Sequence, residues 1–372
     1  MLTDLTQPQA SDMVGERQPV LAVDVMGSDL GSGEILDGVC LALKSQDQCS
    51  LRTILVGDGK VIESALSQRR FRSVRSSIEV LHADDVIAMD ESPTKALRHK
   101  KNSSMAMAVE LVRDGKANGA LSCGNTGALV AFGTIRLRTI DGLERPALAT
   151  VIPAIDRNFI LLDVGANPEP TARQLVHGAI LGAHYGNVAL KMPSPTVGLL
   201  SIGTEEGKGT ELVQDAHAML KLLSDNNVIN YVGLIEGFQL FQERAASIDV
   251  VLCDGFVGNV LIKTMESIAA RLSAFLRKEL LRNPLRAFGC LFIGGALRSL
   301  REKLSAERYG GAPLLGLNGS LFKAHGSSNR KQICHAILIA QRFLRASAVG
   351  ELRRSVALAD EILRGTNGAD QS

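Results

Sequence analysis

From Val20 onward the chain alternates short runs rich in valine, isoleucine and leucine with segments of helical periodicity. The runs are VLAVDVM, LRTILVG, ANGALSC, NFILLDVG, TVGLLSIG, VINYVGLIEG and DVVLCDG. Each closes on or beside glycine, aspartate or asparagine, and most lead into a helix. Strands that are apolar on both side-chain rows need cover on both faces, so this pattern predicts a mostly parallel sheet with helices on either side. The expected fold is α/β, a Rossmann-like three-layer sandwich. In such sheets ligands gather at the carboxyl ends of strands, which is where this chain concentrates its glycines and polar residues.

With 372 residues and 45% hydrophobic content the chain can bury a large core. Residues 1–18 are polar and unpatterned and read as a mobile N-terminal extension. Residues 19–345 are expected to form one α/β domain, and 346–372 a C-terminal helix and tail. One stretch interrupts the alternation. A helical run from about Phe256 to Leu281 ends near Asn283-Pro284, and a second is expected from about Leu291 to Leu304. Together they predict a protruding helical hairpin at about residues 256–310. Between Arg271 and Lys303 eight basic residues face two acidic ones, so the basic surface of the protein is concentrated there.

Elsewhere the charge is nearly balanced, at a net +2, and no nucleic-acid signature is present, so no nucleic-acid partner is expected. The six cysteines contain no Cys-x-x-Cys pair and no signal peptide precedes them, which predicts a reducing cytoplasm and no zinc site. The apolar run Ala287 to Leu297 falls short of the roughly 20 residues a spanning helix needs.

Several turns carry chemistry. LSCGNTGALVAFGT places Gly124, Asn125, Thr126 and Gly127 between a strand and a helix, where backbone amides can cradle an anion. Its Cys123 is either a nucleophile or a small buried neighbour of that cradle. SIGTEEGKGT resembles a phosphate loop, but its glycine spacing is one residue short of the nucleotide pattern and Gly209 stands where a hydroxyl belongs. What remains is a strand-to-helix turn carrying Glu205, Glu206 and Lys208. VGDGKVI lacks the third glycine of a dinucleotide fingerprint, Ile62 taking its place. CDGFVGNVLIKT puts Asp254 at a strand end, with Asn259 and Lys263 four residues apart on one helix face. KAHGSSNR places His325, Ser327 and Ser328 between a strand end and a helix start. Plain packing or capping competes with a functional role at each of these positions, and packing is the expected role of His177 and His184.

Taken in order, these motifs resemble one family, the bacterial phosphate acyltransferases of phospholipid synthesis. The likeness runs from about Leu21 to Ala340. It rests on DVMGSD, MDESPTKALRHKKNSSM, GNTGAL, RPALA, LLDVGAN, IGTEEGKGTEL, DGFVGNVLIKT, YGGAPLLG and KAHGSS. Departures occur at Ser28 and Ser32, where the family usually has glycine and proline, at Thr204, where it has a carboxylate, and at Cys123, where it has alanine. The last departure argues against a thiol nucleophile.

The resemblance implies transfer of a fatty acyl group from acyl-[acyl-carrier-protein] to inorganic phosphate, giving an acyl phosphate for phosphatidic acid synthesis. Phosphate is itself a nucleophile and a thioester brings its own leaving group, so no cofactor, metal or covalent enzyme intermediate is required. Lys208 and Asn259 are the expected catalytic residues. Gly124, Asn125, Thr126, Gly127, Asp254, Lys263, His325, Ser327 and Ser328 are expected to bind phosphate or acyl group. Implied partners are acyl carrier protein, a membrane glycerol-3-phosphate acyltransferase and a second subunit in a homodimer. The hairpin tip, with Arg282, Arg286, Phe288, Leu291, Phe292, Ile293 and Arg298, is expected to meet carrier protein, an anionic membrane surface or the hairpin of a second subunit. The protein is thus expected in the cytoplasm, peripherally associated with the inner face of the cell membrane. A phosphotransacetylase-like enzyme using coenzyme A and a non-enzymatic scaffold of lipid synthesis are the alternatives.

Overall fold

The computed structural model describes residues 18–45, 51–154, 157–241, 248–295, 311–346 and 349–369. In chain order the elements are β1 (Val20–Asp24), α1 (Ser32–Lys44), β2 (Arg52–Gly57), α2 (Gly59–Leu66), β3 (Ile78–His82), α3 (Pro93–His99), α4 (Ser104–Arg113), β4 (Gly119–Ser122) and α5 (Thr126–Arg136). There follow β5 (Ala147–Pro153), β6 (Asn158–Leu162), α6 (Ala172–Leu190), β7 (Thr196–Ser201), α7 (Glu211–Asp225), β8 (Asn230–Glu236), β9 (Val250–Leu252) and α8 (Gly255–Leu280). The chain ends with α9 (Pro284–Phe292), β10 (Ala312–Leu315), β11 (Ser320–Lys323), α10 (Arg330–Arg345) and α11 (Val349–Ala369).

The strands form one 11-stranded sheet in the order β3-β2-β1-β4-β11-β10-β5-β6-β9-β7-β8. Pairing is parallel except at β11–β10, β10–β5 and β5–β6. The α/β fold with a mostly parallel sheet is therefore as the sequence predicts. Two parallel halves are joined through an antiparallel centre, a feature the apolar runs do not announce. β5, with the sequence ALATVIP, and the short β10 lie in that centre and read poorly as isolated strands.

Each half has its own apolar layer. Val23, Ile35, Leu55, Ile62 and Phe322 pack on one side of the first half, and Ile160, Val176, Leu199, Leu220 and Leu252 serve the second. A third cluster, including Met105, Phe132, Leu161 and Leu321, spans the centre. Burying each such side chain is worth about 1.5–3 kcal/mol. Helix α11 adds Leu352, Val356 and Ala359 to the second-half core. Its Asp360 also meets Arg173 at 2.8 Å and His177 at 3.2 Å. His177 is thus a buried packing histidine, as expected.

Helix α8 is 26 residues long and corresponds to the first arm of the expected hairpin. The second arm begins earlier than predicted. Pro284 is the first residue of α9 and the Asn283 side chain accepts the Arg286 N–H at 2.8 Å, so Asn-Pro both ends one helix and starts the next. Ala296 to Leu304, the remainder of the predicted arm, lie outside the described residues, as does Arg298.

Candidate active site

A cavity of about 480 Å³ opens where four loop systems meet. Its lining comes from the α5 start (Asn125, Thr126, Gly127), α8 (Asn259, Ile262, Lys263, Glu266), the β11 end and following turn (Lys323, His325, Gly326, Ser328), and the central strands with their loops (Leu148, Thr150, Val164, Gly165). Met89 contributes from the segment before α3. The fold thus brings together seven of the expected residues, Asn125, Thr126, Gly127, Asn259, Lys263, His325 and Ser328. Gly124, Asp254, Ser327 and Lys208 are not in the lining.

The α5 turn is built by a chain of hydrogen bonds behind the cavity. The buried Asp24 carboxylate at the end of β1 accepts the Ser122 hydroxyl at 2.6 Å, and Ser122 Oγ in turn accepts the Gly124 N–H at 3.0 Å. Burial pushes the Asp24 carboxyl above its ordinary range despite those bonds. Gly27 is required here, since a Cβ would stand 2.7 Å from the Gly124 nitrogen. The Gly124 amide is therefore committed inside the protein. So is the Asn125 side chain: its Oδ1 caps α5 by accepting the Ala128 N–H, and its Nδ2 donates to the carbonyls of Met89 and Glu91, each at 2.9 Å. These residues hold the cradle in shape, and the donors left for a ligand are the amides of Thr126 and Gly127 and the Thr126 hydroxyl.

Cys123 is 1% exposed and burial pushes its thiol up to about 12. A thiol in that state is not ionised near neutral pH and is no nucleophile.

Helix α8 is seated on the loop after β6 by close backbone contact. The Asp163 carboxylate gathers that loop by accepting the N–H groups of Leu148, Gly165, Ala166 and Asn167, at 3.2, 3.0, 2.9 and 2.7 Å. Gly255 and Gly258 then lie directly against it, where a Cβ would meet the Asn167 carbonyl oxygen at 2.6 Å and the Asp163 carbonyl oxygen at 1.9 Å. Asp254 caps the helix by accepting the Val257 N–H at 2.8 Å, which accounts for its residue type without any ligand. This seating presents Asn259 beside Gly165, whose own Cβ position is 3.7 Å from the Asn259 Cγ.

The turn after β11 is held from the opposite side by the turn after β1. Ser28 Oγ and the Asp29 N–H both donate to the Gly326 carbonyl, at 3.1 and 2.9 Å. His325 Nδ1 accepts the Ser327 N–H at 3.3 Å and lies 2.8 Å from Ser327 Oγ. A backbone N–H can only donate, so in the neutral ring the proton sits on Nε2, and His325 offers the cavity a donor. Ser327 thus acts on His325 rather than on the cavity.

Lys208 is exposed in the turn after β7, where its N–H donates to the Glu205 carbonyl at 3.2 Å. Its positive-φ neighbours Gly207 and Gly209 (84° and 95°) shape the turn. Sequence inspection passed over Lys323, which is buried at 8% exposure and lines the cavity. Its Nζ donates to the Cys123 carbonyl at 3.2 Å and also to that of Ala324. The sequence signal was a lysine closing an otherwise apolar strand, SLFK.

The family model described as fatty acid synthesis protein matches residues 20–349. A phosphate acyltransferase of Desulfitobacterium hafniense is 39% identical over 336 residues, covering 90% of this chain and 97% of the relative. The chain belongs to the phosphate acyltransferase family. Another member, from Lawsonia intracellularis, is 39% identical over 353 residues, covering 95% of this chain and 99% of its own. Among solved structures, a phosphotransacetylase from Streptococcus pyogenes superposes with a TM-score of 0.60 at 15% identity, covering 89% of this chain and 95% of the other. One from Staphylococcus aureus gives 0.57 at 17%, covering 88% and 94%. These two structures share the fold. The GNTGAL, DGFVGN and KAHGSS segments each contribute residues to the one cavity.

Proposed function

We propose that the protein transfers a fatty acyl group from acyl-[acyl-carrier-protein] to inorganic phosphate, forming the acyl phosphate used for phosphatidic acid synthesis. The observation that carries this reading is the mixed character of the cavity. Open amides at the start of α5 and the His325 donor suit an anion, and Met89, Leu148, Val164 and Ile262 in the same lining suit an acyl thioester.

A phosphate oxygen forms the C–O bond to the thioester carbonyl carbon, the C–S bond then breaks, and the thiolate leaves with the electron pair. The protein's part is to hold the two reactants together and stabilise the intermediate oxyanion. Orientation contributes up to about 7–11 kcal/mol in favourable systems, and one well-placed oxyanion donor about 2.7–4 kcal/mol. Asn259 is the residue we assign to that donor role, because α8 is held rigidly at its N-terminal turn and no hydrogen bond engages the Asn259 amide among the described residues. Lys208, exposed in the turn after β7 and outside the cavity lining, is our second proposed catalytic residue.

The hairpin supports a peripheral membrane role. Phe288 and Phe292 pack edge to face at 5.6 Å between centroids yet remain 60% and 79% exposed. No helix among the described residues is long and apolar enough to cross a membrane. Along α8, Phe256, Val260, Ile268, Leu272 and Phe275 are exposed at helical spacing, which supports pairing with a second copy in a homodimer. Sedimentation equilibrium of the protein and of an Ile268→Asp, Phe275→Asp variant tests that pairing: a monomeric wild type refutes it.

The reaction is tested by incubating the purified protein with phosphate and either acyl-[acyl-carrier-protein] or acyl-coenzyme A, trapping acyl phosphate with hydroxylamine after removal of the thioester. Acyl phosphate from the carrier-protein substrate is the expected result. Turnover with coenzyme A thioesters alone would establish the phosphotransacetylase alternative, and none with either would leave the scaffold.

A further inference from the structure

We infer that Lys323 binds the reacting phosphate directly, its buried ammonium supplying the charge that the α5 amides and the His325 donor lack. This rests on the reaction proposed above and assigns its phosphate contact to a residue in a strand rather than to the exposed Lys208 of the β7 turn or Lys263 of α8.

The placement is specific. Lys323 closes β11 and stands in register with Ser122 of β4, so its side chain reaches the backbone that leads into α5. Its Nζ donates to the carbonyls of Cys123 and Ala324, both neutral. Among the described residues no carboxylate lies within ion-pair distance of it. An ammonium has three N–H donors, so two carbonyls leave one unfilled, on the side of the cavity where the amides of Thr126 and Gly127, the Thr126 hydroxyl and the His325 Nε2–H also stand open.

A plain core would not favour this residue. Burying a charge without a counter-ion is costly, and an apolar side chain of similar length would remove that cost. The groups facing Lys323 are Asp24 from β1, Asp29 from the following turn, Cys123 just after β4, His325 beyond β11, and Lys263 and Glu266 across the cavity on α8. Asp24 is engaged by Ser122 and burial shifts it toward its neutral form. The Cys123 thiol is neutral for the same reason. Burial outweighs the nearby acidic groups and depresses the Lys323 amine to about 8. A phosphate dianion resting on the α5 amides supplies two negative charges, and the third ammonium N–H then finds its acceptor. Lys263 and Lys208 are exposed, and water already satisfies and screens them.

The test uses the full chain and inorganic phosphate alone. The Lys323 side-chain resonance, assigned by its loss in Lys323→Met, is titrated with pH in the absence and presence of saturating phosphate. The expected result is a midpoint raised by at least one pH unit when phosphate is bound; an unmoved midpoint overturns the inference. In the coupled assay Lys323→Met is expected to raise the phosphate KM at least tenfold while the thioester KM stays within twofold, and Lys323→Arg to restore part of the loss. An unchanged phosphate KM in folded Lys323→Met overturns it equally. Should the methionine variant fail to fold, the resonance is assigned instead in Lys323→Arg and the wild-type titration decides alone. Acyl phosphate formation with no response of Lys323 would refute this assignment and leave the reaction standing. A phosphate-linked shift without acyl transfer from any thioester would do the reverse.

Discussion

Replacing Gly258 by alanine tests whether the first turn of α8 positions the site through contact with the Asp163 loop. The added Cβ would stand 1.9 Å from the Asp163 carbonyl oxygen, where ordinary contact begins at 3.4 Å. The helix or the loop must therefore move by about 1.5 Å, and both are backbone, so no flexible side chain absorbs the strain. The loop cannot yield freely because the Asp163 carboxylate ties four of its neighbouring amides. Overpacking of this kind costs about 1–3 kcal/mol of stability. The effect on catalysis is expected to be larger, since a displacement of about 1 Å in a positioning element lowers rates by roughly a hundredfold, and Asn259 is the next residue. Acyl phosphate formation and urea unfolding are measured for Gly258→Ala, with Gly289→Ala as the control. Gly289 lies in α9 with no atom within 4 Å of its Cβ position, and alanine there is expected to be neutral or to stabilise by up to about 1 kcal/mol. Wild-type rate and stability in Gly258→Ala would refute the account of how α8 is seated.

Cys123→Ala is expected to retain most activity, because the buried, un-ionised thiol takes no part in the chemistry; loss of turnover in a folded variant would restore it as a nucleophile. Asp24→Asn addresses pH. Burial raises the native carboxyl above its unfolded value of about 3.9, so within that window the native state binds the extra proton and wild-type stability falls as pH rises. The asparagine variant lacks this term, so the stability difference should shift in the variant's favour by up to about 1.4 kcal/mol per pH unit until the native carboxyl is ionised; parallel urea midpoints across pH would refute it. Lys323 has the opposite sign of slope at alkaline pH. Its amine is depressed to about 8 and an unfolded lysine titrates near about 10.4, so wild type should gain stability relative to Lys323→Met as pH rises between those values. At the hairpin, wild type is expected to co-sediment with anionic liposomes at low salt, through apolar burial and roughly 1 kcal/mol per nearby basic residue, and Phe288→Asp with Phe292→Asp is expected to abolish it. Wild type that never sediments would refute the membrane role.

The α/β class, the strand-end turns and the membership of Asn259 and Lys263 in one helical face follow from local periodicity and spacing, which the chain carries in every window of ten to twenty residues. Glycine and asparagine at the start of α5 mark a cradle for the same reason. Which donors in that cradle stay free is a matter of partners distant in sequence. Gly124 answers to Ser122 and through it to Asp24, and Asn125 to the carbonyls of Met89 and Glu91. Lys323 looked like the end of a strand because nothing within its own neighbourhood shows that β11 lies beside β4 and that the cavity opens there. The antiparallel centre, too, is a property of pairing, since β5, β6, β10 and β11 satisfy their backbone groups only with one another and with the parallel strands at either side. Periodicity is set by neighbours along the chain, whereas burial, desolvation and the commitment of a hydrogen bond are set by neighbours in space, and those exist only once the sheet has closed.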